Sequence, residues 1–394
     1  INIPNNQVAP GSLEIYTMPT TFGVDGSGLF NEHGWQVTAS IPVTVHQFNP
    51  LTGNNVYTND ASLLLPTNAL GNEYIAMSWQ HRNRNDSIHL RGFINIVATS
   101  PGTTQVTVTP STDVMAGNGV PRIVAGQPQV FSMTFGQVLN LETQGPAGAD
   151  LTGSIIVSDQ NIAVFGGHEC ANIPTQFDDA CDHVEQQLYP LSSWGNRYLA
   201  IPFSARSPAQ QDTWVLVGGE DGVTVRTNPP QPIDGIQLAR GQKVTFSSAD
   251  AFEVSANGPI LLGQFMWGSN HPNFVQNPAC GGAFNSAGIG DPAFTLAVPV
   301  QQYRNDYIVL TPPDYEEDYL NIVAPNGAQV SVDGVTVNGL LPVGNTGFSY
   351  VQYSVPDGVH RVESNQPFGL VSYGYDCFVS YAYPGGLNLE NIDR

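Results

Sequence analysis

The densest set of groups that could do chemistry lies in one short stretch, where His168-Glu169-Cys170 is followed by Cys181-Asp182-His183. Two imidazoles and two thiolates in this arrangement could close a tetrahedral zinc site, because zinc takes nitrogen and soft sulfur donors. The expected alternative is a disulfide between Cys170 and Cys181 that pins the intervening loop, as suits an oxidising compartment. Cys280 and Cys377 would then pair with one another, although four cysteines allow three connectivities. Asp178, Asp179 and Asp182 add hard oxygen donors to the same loop and form a candidate calcium site, the sole cofactor expected here. Asp314, Glu316, Glu317 and Asp318 form a second acidic cluster. No loop has the ordered alternation and closing Glu of an EF-hand, and a solvated acidic turn would have the same composition.

Catalytic signals are weak. The 33 acidic residues offer many carboxylate pairs of the kind glycoside hydrolysis uses, and no pair stands out. Neither a G-x-S-x-G elbow nor an H-E-x-x-H pair occurs. Gly281-Gly282 and Gly385-Gly386 lack the following Lys or helix of a phosphate-binding loop. No catalytic residue is assigned, and a secreted carbohydrate-active enzyme is only the last of three functional readings. Trp267, Tyr373, Tyr375, Tyr381 and Tyr383 are candidates for a binding face, since aromatic side chains hold glycan and protein surfaces well. At strand spacing, such residues are more often core.

Composition narrows the partners. A formal charge of −21, with Lys243 as the sole lysine, leaves too few cations to neutralise nucleic-acid phosphate or to hold an anionic membrane surface. No apolar run reaches the roughly 18 residues needed to cross a bilayer. The expected partners are a protein or glycan surface ligand, or copies of the chain itself, met outside the cell after removal of a signal peptide.

These residues are positioned by strands. The 41 Gly and 30 Pro punctuate segments rich in Val, Ile, Tyr and Phe, which predicts short strands and many turns. An anchor pattern of polar bend and apolar run begins at Ser40, Ser158, Ser255 and Ser364, at spacings of 118, 97 and 109 residues. These spacings exceed the ~40 to 50 residues of a propeller blade and suit domain-sized repeats. A Tyr leads an apolar run at Tyr74-Ile75, Tyr198-Leu199 and Tyr307-Ile308, and a hairpin pattern follows each. The expectation is an all-β chain of tandem β-sandwich-like repeats, about three units, with an N-terminal extended arm. The arm spans residues 1–36. The first unit, with its leading anchor strand, spans 37–170, the second 171–275, and the third with the C-terminal tail 276–394.

The order of several motifs resembles the bacterial branch of the IgGFc-binding protein N-terminal domain family. The resemblance is carried by Asp60-Ala61-Ser62-Leu63-Leu64-Leu65-Pro66, Gly71-Asn72-Glu73-Tyr74, Ala163-Val164-Phe165 with His168-Glu169-Cys170-Ala171-Asn172, Cys181-Asp182-His183-Val184-Glu185-Gln186-Gln187-Leu188, and Tyr373-Gly374-Tyr375. It implies a secreted or surface-attached, non-catalytic β-domain used in adhesion or recognition, and does not by itself assign a ligand. The second reading is a self-assembling subunit of an extracellular filament or sheath, joined by strand or arm exchange.

Overall fold

Alternating side chains become alternating burial. In the strand Thr103–Thr109, Val106 and Val108 are fully buried while Gln105 and Thr107 face outward, as a pleated sheet with one covered face requires. The computed structural model describes residues 12–19, 23–51, 58–85, 88–175, 181–269, 280 and 288–392, and these are almost entirely strand and turn.

The chain opens with β1 (Gly28–Phe30), β2 (Val45–Phe48) and β3 (Ala61–Leu64). A first group follows: β4 (Gly71–Ile75), β5 (Arg82–Asn85), β6 (Ile88–Leu90), β7 (Gly92–Ala98), β8 (Thr103–Thr109), β9 (Gln129–Thr134), β10 (Val138–Glu142), β11 (Ile155–Ala171) and β12 (Asp182–Gln187). The second group holds β13 (Arg197–Ala200), β14 (Asp212–Gly218), β15 (Val223–Asn228), β16 (Gln237–Leu238), β17 (Lys243–Ser248), β18 (Phe252–Ala256), β19 (Ile260–Phe265) and β20 (Phe294–Leu296). The third holds β21 (Arg304–Thr311), β22 (Glu317–Pro325), β23 (Val330–Val332), β24 (Val335–Thr336), β25 (Leu341–Pro342), β26 (Phe348–Val355), β27 (Gly358–Asp376) and β28 (Val379–Pro384).

One antiparallel pairing scheme appears in each group. In the second, β13-β18-β15-β16 forms one sheet and β17-β14-β19-β20 the other. In the third, β21 and β23 flank the first half of β27, while β22 and β28 flank its second half. In the first, β4 and β8 flank the start of β11, and β7 and β12 flank its end. The long strands β11 and β27 therefore run through both sheets. Gly258-Pro259 divides the same path into β18 and β19, because Pro cannot donate to a ladder.

The pairing carries strands across the expected domain limits. β1, inside the presumed arm, lies on β10. β12, beyond residue 170, pairs with β11, and β20, beyond residue 275, pairs with β19. Each group thus ends on the strand that leads into the next.

The recurring tyrosines have one shared role. The Tyr74 hydroxyl donates to Ile162 O at 2.7 Å and accepts the Gly71 N–H at 3.1 Å. Tyr198 does the same with Ile260 O at 2.6 Å and Gly195 N–H at 3.3 Å. Tyr307 repeats it with Phe368 O at 2.5 Å and Arg304 N–H at 2.9 Å. Each hydroxyl ties the entry turn of its group to the anchor strand, and burial pushes all three phenols well above their ordinary pKa.

The four lead strands meet at the centre, where β3 touches β12, β12 touches β20, β20 touches β28 and β28 touches β3. Asp60 is fully buried among them. Its carboxylate accepts the backbone N–H of Ala61 at 2.8 Å, Glu185 at 3.0 Å, Phe294 at 3.1 Å and Ala382 at 3.4 Å, one from each strand. The Gln186 side-chain amide donates to the carbonyls of Ala61, Phe294 and Ala382 on the other three. Burial raises the Asp60 pKa, and the N–H donors oppose that shift. The anchor segment from Ser40 to Phe48 thus feeds the β2-β3 hairpin, whose second strand is the fourth member of this ring.

Candidate functional site

The cysteine-flanked block forms the hairpin of β11 and β12, with His168 opposite Val184 and an irregularity before Ala171 opposite Asp182. A Cys170–Cys181 disulfide closes its end across a Cα–Cα distance of 5.0 Å, and Cys280 pairs with Cys377. With both sulfurs bonded, the tetrahedral zinc arrangement does not form. His168 is fully buried, accepts the Cys170 N–H on Nδ1 at 3.0 Å, and has its pKa lowered to about 3 by burial. His183 instead stacks on Phe93 at 5.8 Å and lies 3.5 Å from Glu185.

Of the calcium candidates, Asp178 and Asp179 lie outside the described residues. Asp182 is fully buried and accepts the Asn59 N–H at 2.8 Å, and burial raises its pKa well above the usual carboxylate range. In the second acidic cluster, Asp318 is buried and accepts the Tyr381 O–H at 2.5 Å, with its pKa pushed up to about 7 by burial.

Oxygen donors from three parts of the chain converge beside the same hairpin. Asp25, Glu142 and Glu169 each bring a carboxylate oxygen within 4.8 Å of the others. Glu142 accepts the Gly26 N–H at 2.7 Å and lies 3.7 Å from Arg91 Nε. Glu169 accepts the Arg91 N–H at 2.9 Å, and burial with the neighbouring Glu142 charge pushes its pKa up to about 7. Three hard oxygens suit a divalent cation such as calcium, and Arg91 already supplies one positive charge. A second convergent group among the described residues, Glu316, Asp376 and Cys377, has lost its sulfur to a disulfide.

The aromatic candidates are not a surface. Trp267, Tyr373, Tyr375, Tyr381 and Tyr383 are all buried, and each polar handle is satisfied inside the protein. Trp267 donates to Thr213 at 3.0 Å, Tyr373 to Asn321 at 3.2 Å, Tyr375 to Ser204 O at 2.7 Å, Tyr381 to Asp318, and Tyr383 to Leu310 O. Strand spacing turns these rings inward, where large aromatic area is most stabilising.

Among the described residues, exposed polar groups here include those of the β5-β6 hairpin, which leans on the segment after β11 through an Arg82–Asn172 side-chain hydrogen bond. Exposed His89 meets Asn83 at 2.5 Å, and Asn83 also holds buried His81 at 2.7 Å. Sequence reasoning missed Arg91, Glu142 and Asp25 because they are distant in the chain and carry no local motif.

The sequence profile of the IgGFc binding protein family matches residues 60–374, a span that starts at the axial Asp60 and covers the first two groups of strands and the third as far as β27. The chain belongs to this family. A human IgGFc-binding protein is 24% identical over 391 residues, covering 95% of this chain and 6% of that protein. Among solved structures, an anti-sigma factor domain-containing protein from Clostridium clariflavum aligns over 87% of this chain and 97% of its own, at 10% identity and a TM-score of 0.14, too low to bear on the fold. The family match spans the cysteine block, so the disulfide-closed hairpin lies within the shared region together with Glu142 and Glu169, while Asp25 lies outside it.

Proposed function

We propose that this chain is an extracellular, non-enzymatic recognition module that binds a protein ligand. The observation that carries this is the family match over residues 60–374, whose human relative is named for binding IgG Fc. Two disulfides support an oxidising location. The perturbed acids are engaged in holding the framework: Asp60 ties four strands, and Asp318 holds Tyr381. The recognition surface in this reading is the polar face of the β5-β6 hairpin, where exposed Asn83 and His89 lie beside the disulfide-closed end of β11 and β12. Loops on a rigid sheet scaffold are the usual place for recognition.

Biolayer interferometry of the immobilised chain against IgG Fc, Fab and a glycan array tests this. Saturable protein binding that falls at least ~10-fold in His89→Ala, a loss of about 1.4 kcal/mol, supports it. Binding to glycans alone, or to nothing in the panel, overturns it.

A further inference from the structure

The central ring has four members, yet only three have a complete sandwich around them. β2 pairs with β3 as the second half of β11 pairs with β12, β19 with β20 and β27 with β28. The register gives the correspondence. His46 lies opposite Leu63, three residues before Pro66; Phe165 lies opposite Gln187, three before Pro190; and Gly263 lies opposite Leu296, three before Pro299. Counting back nine residues from each gives Val37, Ile156 and Val254. In the third group Val371 occupies the same place, opposite Pro384, and the count gives Val362.

Ile156, Val254 and Val362 have no exposure, and each lies in a strand paired on both edges. Ile156 faces Tyr74 and Val108, Val254 faces Tyr198 and Thr227, and Val362 faces Tyr307 and Val332. Val37, by contrast, is 61% exposed, and residues 35–44 form no strand pairing among the described residues. Ile41 and Val43 continue the same exposed apolar side at 55% and 47%. From Gly34 to Val45 there is no charged residue. Open strand edges are normally guarded by Lys, Glu or Pro, and this one carries only Pro42.

We infer that residues 37–43 are an antiparallel docking strand for the same segment of a second copy of this chain. The apolar stripe is self-complementary. A twofold axis through Ser40 sets Val37 opposite Val43 and Ala39 opposite Ile41, so apolar meets apolar in both directions. Each chain carries −21, so an uncharged stripe is the place where two copies can meet with little repulsion. The segment is held in place from its C-terminal end by β2, which is hydrogen-bonded to β3 in the central ring.

The test uses the whole chain. All four native cysteines are in disulfides, so a new cysteine is the only free thiol. Ser40→Cys forms a reducible dimer, because opposed residues in an antiparallel pair lie about 4.5 to 5.5 Å apart. Thr44→Cys does not, since its copies would be displaced by eight residues, about 26 Å. Sedimentation equilibrium shows a concentration-dependent dimer for the native chain. For Val37→Lys/Ile41→Lys it shows at least a 30-fold weaker one, with an unchanged thermal midpoint at concentrations where both proteins are monomeric, because both side chains are exposed there. A native chain that stays monomeric at all concentrations, or equal cross-linking of the two cysteine variants, overturns the proposal.

Discussion

The Asp60 carboxylate accepts the backbone N–H of Phe294 at 3.1 Å although 234 residues separate the two. With Gln186 on the opposing carbonyls, this bond makes the ring of β3, β12, β20 and β28 a single polar junction. Asp60→Ala would leave buried N–H groups from four strands unpaired. Each buried N–H left unsatisfied costs about 1 to 3 kcal/mol, so unfolding in guanidinium should show a loss of at least about 3 kcal/mol. Asp60→Asn retains the size but turns N–H donors toward N–H groups, so it should recover less than half of the loss. A change under ~1 kcal/mol for Asp60→Ala would mean that the junction does not hold the ring together.

Tyr74, Tyr198 and Tyr307 make the same pair of hydrogen bonds in three places, so Tyr→Phe at each should have nearly the same effect. Each substitution strands one buried carbonyl and one N–H, at a cost of about 1 to 3 kcal/mol. Tyr16→Phe, on an exposed residue, should stay within ~0.5 kcal/mol. Chemical denaturation of the four variants measures this. A spread among the three core positions wider than the gap to Tyr16→Phe would contradict a shared role.

Much of this framework was legible because it is local. The anchor strands, the Tyr-led strands and the hairpins each carry a period-two pattern within about ten residues. The central ring was not, since Asp60 meets Glu185, Phe294 and Ala382 only after more than 120 residues of chain have been placed. One unused signal was available: Pro66, Pro190 and Pro299 each stand eight residues before Tyr74, Tyr198 and Tyr307, and each opens a 3-10 turn. The aromatic candidates misled because Tyr381 and Tyr383 alternate like a surface ladder, while β28 is covered on both faces and every one of its residues is buried.

The two disulfides should differ in weight. Cys170–Cys181 spans 11 residues and Cys280–Cys377 spans 97. The loop-entropy relation gives roughly 3 kcal/mol for the short bridge and roughly 5 kcal/mol for the long one. Cys170→Ser/Cys181→Ser should therefore lower stability less than Cys280→Ser/Cys377→Ser, as read by guanidinium midpoints of the two double variants. The reverse order would indicate that the short hairpin bridge holds more than its own loop.

Acidification should stabilise this protein before it harms it. Burial raises Asp212, Asp318 and Glu169 to about 7 and Asp291 to about 6. For each of these acids, the folded state keeps a proton that the unfolded chain releases above its ordinary value near 4. The penalty therefore grows as pH rises from about 4 toward the folded pKa, and is relieved as pH falls back. His46 and His168 act in the opposite sense. Burial lowers them to about 4 and about 3, so below pH 6.5 the unfolded chain takes up protons that the folded one refuses. These four acids, with Asp60 and Asp182, which burial also raises, outweigh His46, His168 and His81, which burial also lowers, between pH 6.5 and about 5, so the net slope still favours the lower pH there. Below pH 4 the acids raised by burial are protonated in both states, the His46 penalty has levelled off, and the His168 penalty grows on to about pH 3 while Asp113 and Asp333, held low by their hydrogen-bond partners, lose their contribution. The thermal midpoint should thus be higher at pH 5 than at pH 8 and should fall again by pH 3. Asp318→Asn, which removes one of the four acids beside Tyr381, should flatten the rise between pH 8 and pH 5. A midpoint that increases from pH 5 to pH 8 would show that these buried carboxyl groups are ionised without penalty in the folded protein.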